Sequence, residues 1–216
     1  MDMREEKLLV VEHLSKEYQS RQKFRGKNLT VKAVDDVSFY VKRCETFGVV
    51  GESGCGKTTL GRCIVRLHEP NAGEMRFDIN GESRNILTLS KDESFRMRQK
   101  IQIIFQDPYA SLNPMHNILE AFDEPLRIHG FGNRETRREL VADMLETVNL
   151  QPDYMYRFPH EFSGGQRQRI CIAKALALKP DLVVCDEPVS ALDVSIQAQI
   201  LNLMKKLQRE FSLSYI

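Results

Sequence analysis

Residues 46–58 read Thr46-Phe-Gly-Val-Val-Gly-Glu-Ser-Gly-Cys-Gly-Lys-Thr58, an apolar run that passes straight into a glycine-rich turn and a lysine. From Gly51 to Thr58 the stretch fits G-x-x-x-x-G-K-[ST] in full, a pattern whose chemistry requires a strand before it and a helix after it. Thr46–Val50 is a buried-strand candidate of the right length, and a helix is predicted beyond Lys57. Gly51, Gly54 and Gly56 permit positive φ and bare backbone, so that the N–H groups of Glu52, Ser53, Cys55 and their neighbours can turn toward an anion. The following helix, opening at Lys57, Thr58 and Thr59, adds unpaired N–H groups and the positive end of its dipole. Such a loop binds a nucleotide's phosphates: Lys57 neutralises the β- and γ-phosphates and Thr58 offers a hydroxyl to Mg²⁺. Cys55 lies in the loop beside Lys57, where a thiolate would be favoured and alkylation should compete with nucleotide, although an unreactive small filler explains the residue equally well.

Further along, Leu182-Val-Val-Cys-Asp186-Glu187 places two acids at the end of a short apolar strand candidate. Alone this is a common strand-end turn. Joined to a phosphate loop, it reads as the second half of an ATPase site, with Asp186 a Mg²⁺ partner through water and Glu187 a base or orienter for the attacking water.

The rest of the pattern is α/β. Leu8–Leu14, Val37–Val41, Glu74–Ile79 before the turn pair Asn80-Gly81, and Ile101–Phe105 read as strands. Lys16–Lys32, with Arg21, Lys23, Arg25 and Lys27, is polar and basic and reads as a solvated loop or hairpin insertion. Leu140, Val141, Met144, Leu145 and Val148 recur at helical spacing behind a polar start at Arg134–Glu139. Ile196, Ile200, Leu203, Met204 and Leu207 mark a second amphipathic helix.

The 216 residues can bury one substantial α/β core. With 28% charged residues and a net charge of +1, no strong field calls for nucleic acid or an acidic membrane. No apolar run approaches the roughly 20 residues needed to span a bilayer, and the charged start lacks a signal peptide's pattern, so a cytoplasmic location is expected. The five scattered cysteines suit reduced thiols better than a disulfide framework or a zinc site.

One more stretch narrows the class. Phe162-Ser-Gly-Gly-Gln166, followed by Arg167-Gln-Arg169, resembles the signature motif of ABC ATPases. Its physics is a capped helix start that forms a second anion site. The resemblance implies that Ser163, Gly164, Gly165 and Gln166 face the γ-phosphate of ATP held by an opposite subunit. It also implies that Gln106 is the glutamine touching Mg²⁺ and the hydrolytic water, and that Ser190-Ala-Leu-Asp193 crosses the dimer seam, with Asp193 near nucleotide. Tyr18 is the candidate for stacking on adenine, although a tyrosine after a strand serves equally as a packing residue. Phe105-Gln-Asp-Pro-Tyr-Ala-Ser-Leu-Asn-Pro114, Pro159-His-Glu-Phe162 and Asp193-Val-Ser-Ile-Gln-Ala-Gln199 look like the ATP-binding subunits of oligopeptide and dipeptide importers, with their nickel and glutathione relatives.

The resemblance implies a P-loop NTPase with a RecA-like core, a strand-rich N-terminal edge and a helical subdomain inserted at about residues 108–165. Residues 1–216 then form one ABC ATP-binding domain. Its switch histidine has no match among His13, His68, His116, His129 and His160, so the domain is expected to be truncated at its C-terminus and poorly active alone. The implied cofactors are ATP and Mg²⁺. The implied partners are a second ATPase subunit, identical or paralogous, two permease subunits holding the chain at the inner face of the cell membrane, and indirectly an external binding protein. A soluble ABC ATPase of a phosphonate-lyase-type enzyme complex is the alternative. A nucleic-acid- or ribosome-associated ABC protein is a third reading, opposed by the near-zero net charge.

Overall fold

A computed structural model describes residues 7–24 and 27–216, and they fall into two compact units, Met1–Met97 with Ser214–Ile216 and Arg98–Leu213.

The first unit is built on an antiparallel sheet of order β2-β1-β3-β4, from β1 (Lys7–Phe24), β2 (Lys27–Lys42), β3 (Ala72–Ile79) and β4 (Glu82–Asn85). Period-two alternation aligns its apolar face. Leu9 sits opposite Val41 and Phe77, and Val11 opposite Phe39 and Met75. Leu9, Val11, Val41, Met75 and Phe77 are all buried. Of the two readings of the basic Lys16–Lys32 stretch, loop or hairpin insertion, the structure shows the hairpin: β1 runs on to Phe24 and β2 begins at Lys27, so the backbone forms a long ribbon interrupted by bulges. Backbone pairing carries the strands on although the sequence there lacks apolar alternation; the side chains of Arg21, Lys23, Arg25 and Lys27 lie outside the described residues.

Asn80 and Gly81 both adopt positive φ, 54° and 88°, as a two-residue hairpin turn requires, and Gly81 N–H donates to Asp78 Oδ1 at 2.7 Å. Gly73, at φ 101°, crosses β1 so closely that an added Cβ would lie 2.6 Å from His13 O and Leu14 Cα. Helix α1 (Lys57–Ile64) follows the glycine-rich loop and buries Leu60, Cys63 and Ile64. Helix α2 (Lys91–Lys100) starts from a reciprocal Ser90–Glu93 cap and contains the boundary between the two units.

The sequence expectation fails at Thr46–Val50. Only one bridge forms there, Thr46 beside Tyr215, with Phe47 N–H donating to Tyr215 O at 2.8 Å. Among the described residues no ladder continues past Phe47, and without flanking strands Val50 lies 95% exposed.

The second unit holds the parallel pair β5 (Ile101–Ile104) and β6 (Leu182–Cys185), in the register Ile101 with Leu182 and Ile104 with Cys185. Leu182, Val183 and Val184 are buried, as a parallel-sheet strand should be. Its helices are α3 (Ile118–Ile128), α4 (Arg134–Thr147), α5 (Gly164–Leu176) and α6 (Val194–Phe211), with two 3₁₀ turns at Pro152–Tyr156 and Pro159–Glu161. α4 buries Val141 and Leu145, with Val148 buried at its C-cap, and α6 buries Ile200, Leu203, Met204 and Leu207, on the faces expected from spacing. α3 lies inside the stretch, about residues 108–165, expected to be a helical subdomain. Its Asn117–Glu120 capping box and buried Ile118, Ala121, Phe122 and Leu126 outweigh Pro125 inside it. Arg137 of α4 ties to α3 through Asp123 at 2.6 Å and donates to Gly132 O at 2.8 Å.

Candidate functional site

In the first unit the glycine-rich loop is held by its own atoms. Lys57 Nζ donates to Gly51 O at 2.7 Å and Glu52 O at 2.9 Å, so the side chain folds back over the loop. Cys55 N–H donates to Glu52 O at 3.3 Å, closing a turn through Ser53 and Gly54. Gly54 and Gly56 take φ of 81° and 102°, as the sequence requires. Gly56 also lies against β2, where an added Cβ would stand 1.9 Å from Ala33 O. Only a glycine can combine that dihedral with that approach. Thr58 and Thr59 occupy the first turn of α1, and Cys55 is exposed.

Tyr18 lies on β1, 37% exposed. Its ring meets His68 edge-on, with centroids 5.9 Å apart, and Lys16 Nζ lies 5.3 Å from it. The segment after α1 is laced to this part of β1: Lys16 Nζ donates to Glu69 O, Glu17 N–H to Asn71 Oδ1 and Asn71 N–H to Ser15 O.

In the second unit the ends of β5 and β6 bring the other predicted residues together. Asp186 N–H donates to Ile104 O at 2.9 Å, extending the parallel pairing by one step and placing Asp186 and Glu187 just beyond β6. Gln106, two residues past β5, donates from Nε2 to Glu187 Oε2 at 3.1 Å and to Ser190 Oγ at 3.3 Å. Ser190 Oγ–H in turn donates to Glu187 O at 3.1 Å. Glu187 itself has φ 49°, a left-handed conformation that costs a β-carbon residue about 1–3 kcal/mol. Gln106 thus holds the Glu187 carboxylate, and Ser190 its backbone carbonyl.

Ser163 caps α5. Its Oγ accepts from Gln166 N–H at 3.3 Å, while Gln166 Oε1 accepts from Ser163 N–H at 3.0 Å. Ser163 is exposed at this helix start, and Gly164 and Gly165 form the first turn. A Cβ on Gly165 would meet Ile196 Cγ2 at 2.7 Å, so α5 and the start of α6 approach as glycine alone allows. Asp193 heads α6 through its carbonyl, which accepts from Ile196 and Gln197 N–H, with no side-chain cap bond.

A family model described as ABC transporter matches residues 34–190, which include the loop, the Gln106–Glu187 pair and the capped Ser163 turn. The chain belongs to the ABC transporter family. It is 54% identical over 192 residues to a putative oligopeptide transport ATP-binding protein of Bacillus subtilis, YkfD, covering 88% of this chain and 57% of that one. With the Bacillus subtilis oligopeptide transport ATP-binding protein OppF the identity is 50% over 212 residues, covering 98% and 67%. The chain thus spans between 57% and 67% of the length of these two relatives. Among solved structures, the dimeric ATP-binding cassette MJ0796, in a post-hydrolysis state bound to ADP and Pi, matches with a TM-score of 0.79 at 29% identity, covering 96% of this chain and 86% of that one. The fold is therefore that of an ABC cassette, a P-loop NTPase of the α/β class.

Within the cassette, sequence reasoning gave Ser190 no part beside Glu187. Its placement three residues after the glutamate, where a serine hydroxyl can reach back to the backbone, was the available signal. No group of three or more His, Cys, Asp or Glu able to hold a metal occurs among the described residues. No helix among them is long and apolar enough to cross a membrane.

Proposed function

We propose that this cassette binds and hydrolyses ATP as the energising subunit of an importer for oligopeptides or dipeptides. The observation that carries the reading is the hydrogen bond from Gln106 to the carboxylate of Glu187, whose backbone is left-handed just beyond a strand end. The phosphate loop supports it, as do relatives at 50–54% identity whose names state oligopeptide transport ATP-binding.

Each residue then has a task. The loop from Gly51 to Thr59, with Glu52, Ser53, Gly54, Cys55 and Gly56, receives the phosphates; Lys57 leaves its two carbonyl acceptors for the more strongly attracting phosphate oxygens. Tyr18 offers its ring to adenine. Glu187 accepts a proton from, or orients, the attacking water, with Gln106 holding its carboxylate and Ser190 its backbone carbonyl. Asp186, Thr58 and the Gln106 amide oxygen are hard oxygen donors of the kind Mg²⁺ takes, and so small a protein set suits an ion that keeps most of its waters and phosphate ligands. That ion would neutralise phosphate charge as it develops. Ser163, Gly164, Gly165 and Gln166, with Asp193, serve nucleotide on a second ATPase subunit, by the anion affinity of a capped helix start. Attachment to the membrane runs through permease subunits.

The test is ATP hydrolysis by the full-length protein assembled with its membrane subunits, with and without peptide-loaded binding protein. Stimulation by peptide supports the importer. Hydrolysis indifferent to peptide, from a soluble complex with another enzyme, would leave the ATPase and remove the transport assignment.

A further inference from the structure

Arg167 is a buried cation, 7% exposed, whose hydrogen bonds among the described residues go to backbone carbonyls. A guanidinium cannot shed its proton, so its burial must be compensated by neighbours. Nε donates to Pro159 O at 2.6 Å and Nη2 to His160 O at 3.3 Å, while Nη1 is buried without a partner. The remaining compensation is the ring face of Tyr109, with the guanidinium carbon 3.8 Å from its centroid.

Both ends of this stack belong to the candidate site. Tyr109 is 64% exposed, so the surrounding core does not fix its ring. Its N–H donates to Asp107 Oδ1 at 2.8 Å, one residue after Gln106, and Ser111 Oγ–H donates to Asp107 O at 2.7 Å. On the other side, Arg167 N–H donates to Ser163 O at 2.9 Å, closing the first turn of α5, and its side chain holds the Pro159–His160 turn that leads into Ser163. One turn further along α5, Cys171 Sγ approaches Pro108 O at 3.9 Å. The loop after Gln106 therefore lies along the Arg167–Cys171 face of the helix that Ser163 caps.

We infer that Arg167 and Tyr109 form a clasp through which the Gln106 loop positions the Ser163 turn, so that a shift in one is transmitted to the other. Arg167 is a positioning residue, not a catalytic one. The clasp rests on the ATPase reading above for its functional meaning, and on the stack alone for its existence.

The test uses the full-length protein assembled with its membrane subunits. Tyr109→Ala is expected to lower kcat about fivefold, with the KM for ATP within about twofold of the parent. Tyr109→Phe, which keeps the ring face, should restore the parental rate. Arg167→Lys keeps the charge but loses the planar fork, and should lower kcat like Tyr109→Ala. The double variant should then be no slower than the slower single one. Hydrogen exchange gives a readout independent of turnover: the amides of 163–167 should exchange faster in Tyr109→Ala and at the parental rate in Tyr109→Phe. Losses that multiply in the double variant, or a Tyr109→Ala protein with parental kcat and exchange, overturn the clasp. If the parental assembly hydrolyses no ATP, the ATPase reading falls and exchange alone decides: faster exchange in Tyr109→Ala upholds the clasp, and unchanged exchange removes it.

Discussion

The two apolar runs that lead into the two candidate sites make an instructive pair. Leu182–Cys185 and Thr46–Val50 are similar in length and composition, and each ends at chemistry-bearing residues. The first becomes β6, paired in parallel with β5, with Leu182 and Val183 fully buried. The second forms a single bridge at Thr46 and leaves Val50 95% exposed. An apolar run states only that a strand is possible; hydrogen-bonded neighbours on both edges make it one. The loops beyond the two runs do not share this fate. The glycine-rich loop keeps its positive-φ geometry beside an unpaired run, because its shape is set by Gly54, Gly56 and the Lys57 contacts within a few residues. Local chemistry survives where non-local pairing does not.

Substitutions can break that comparison, and the largest effect is expected at the end of the well-paired strand. Glu187→Gln in the assembled full-length protein should reduce kcat by about 10²–10⁴, the range for losing a positioned general base, measured as phosphate release. A parental rate would reduce Glu187 to a strand-end turn. Gly56→Ala should destabilise the first unit by about 3 kcal/mol or more, read as a fall in the thermal midpoint, because the added carbon meets both an unfavourable φ and the Ala33 carbonyl. Next come the runs themselves. Val183→Ala removes fully buried methyl groups and should cost about 2 kcal/mol in denaturant unfolding, whereas Val50→Ala should cost less than about 0.5 kcal/mol. Equal costs would mean that Thr46–Val50 is buried after all.

The smallest effect is chemical and needs no variant. Burial pushes the Cys171 thiol up to about 12, which keeps it protonated and unreactive at pH 8, while Cys55 stands exposed on the glycine-rich loop. A thiol reagent at pH 8 should therefore modify Cys55 and spare Cys171 in the folded protein, with ATP protecting Cys55, as read by mass spectrometry. Labelling of Cys55 that ATP does not slow would separate the loop from the nucleotide.

These contrasts also explain what the sequence made legible. Helices α4 and α6 and strand β6 were readable because their buried residues repeat at one period without interruption. The Ser163 cap was readable because serine, two glycines and glutamine are what a reciprocal cap at a tight helix contact needs. Helix α3 was legible only as part of the helical subdomain, because Pro125 argues against a helix unless the Asn117–Glu120 cap is weighed against it. The outer half of the β1–β2 ribbon could be read only as a loop or a hairpin, because the polar residues 16–32 carry no apolar alternation and backbone pairing decides between the two. Asp186 and Glu187 could be named from their place after an apolar run, and Gln106 only through the family resemblance. The Arg167–Tyr109 stack could not, since 58 residues of chain separate its halves and neither residue type alone announces a partner.

The central claim is that gripping nucleotide and handling water are separate duties of the Lys57 loop and the Gln106–Glu187 pair. Its most direct test is equilibrium binding of ATP to full-length Lys57→Ala and Glu187→Gln proteins side by side. The claim predicts that Glu187→Gln holds ATP at least as tightly as the parent while Lys57→Ala loses about tenfold or more in affinity, the worth of a charge-assisted phosphate contact. Equal affinities for the two variants would contradict it.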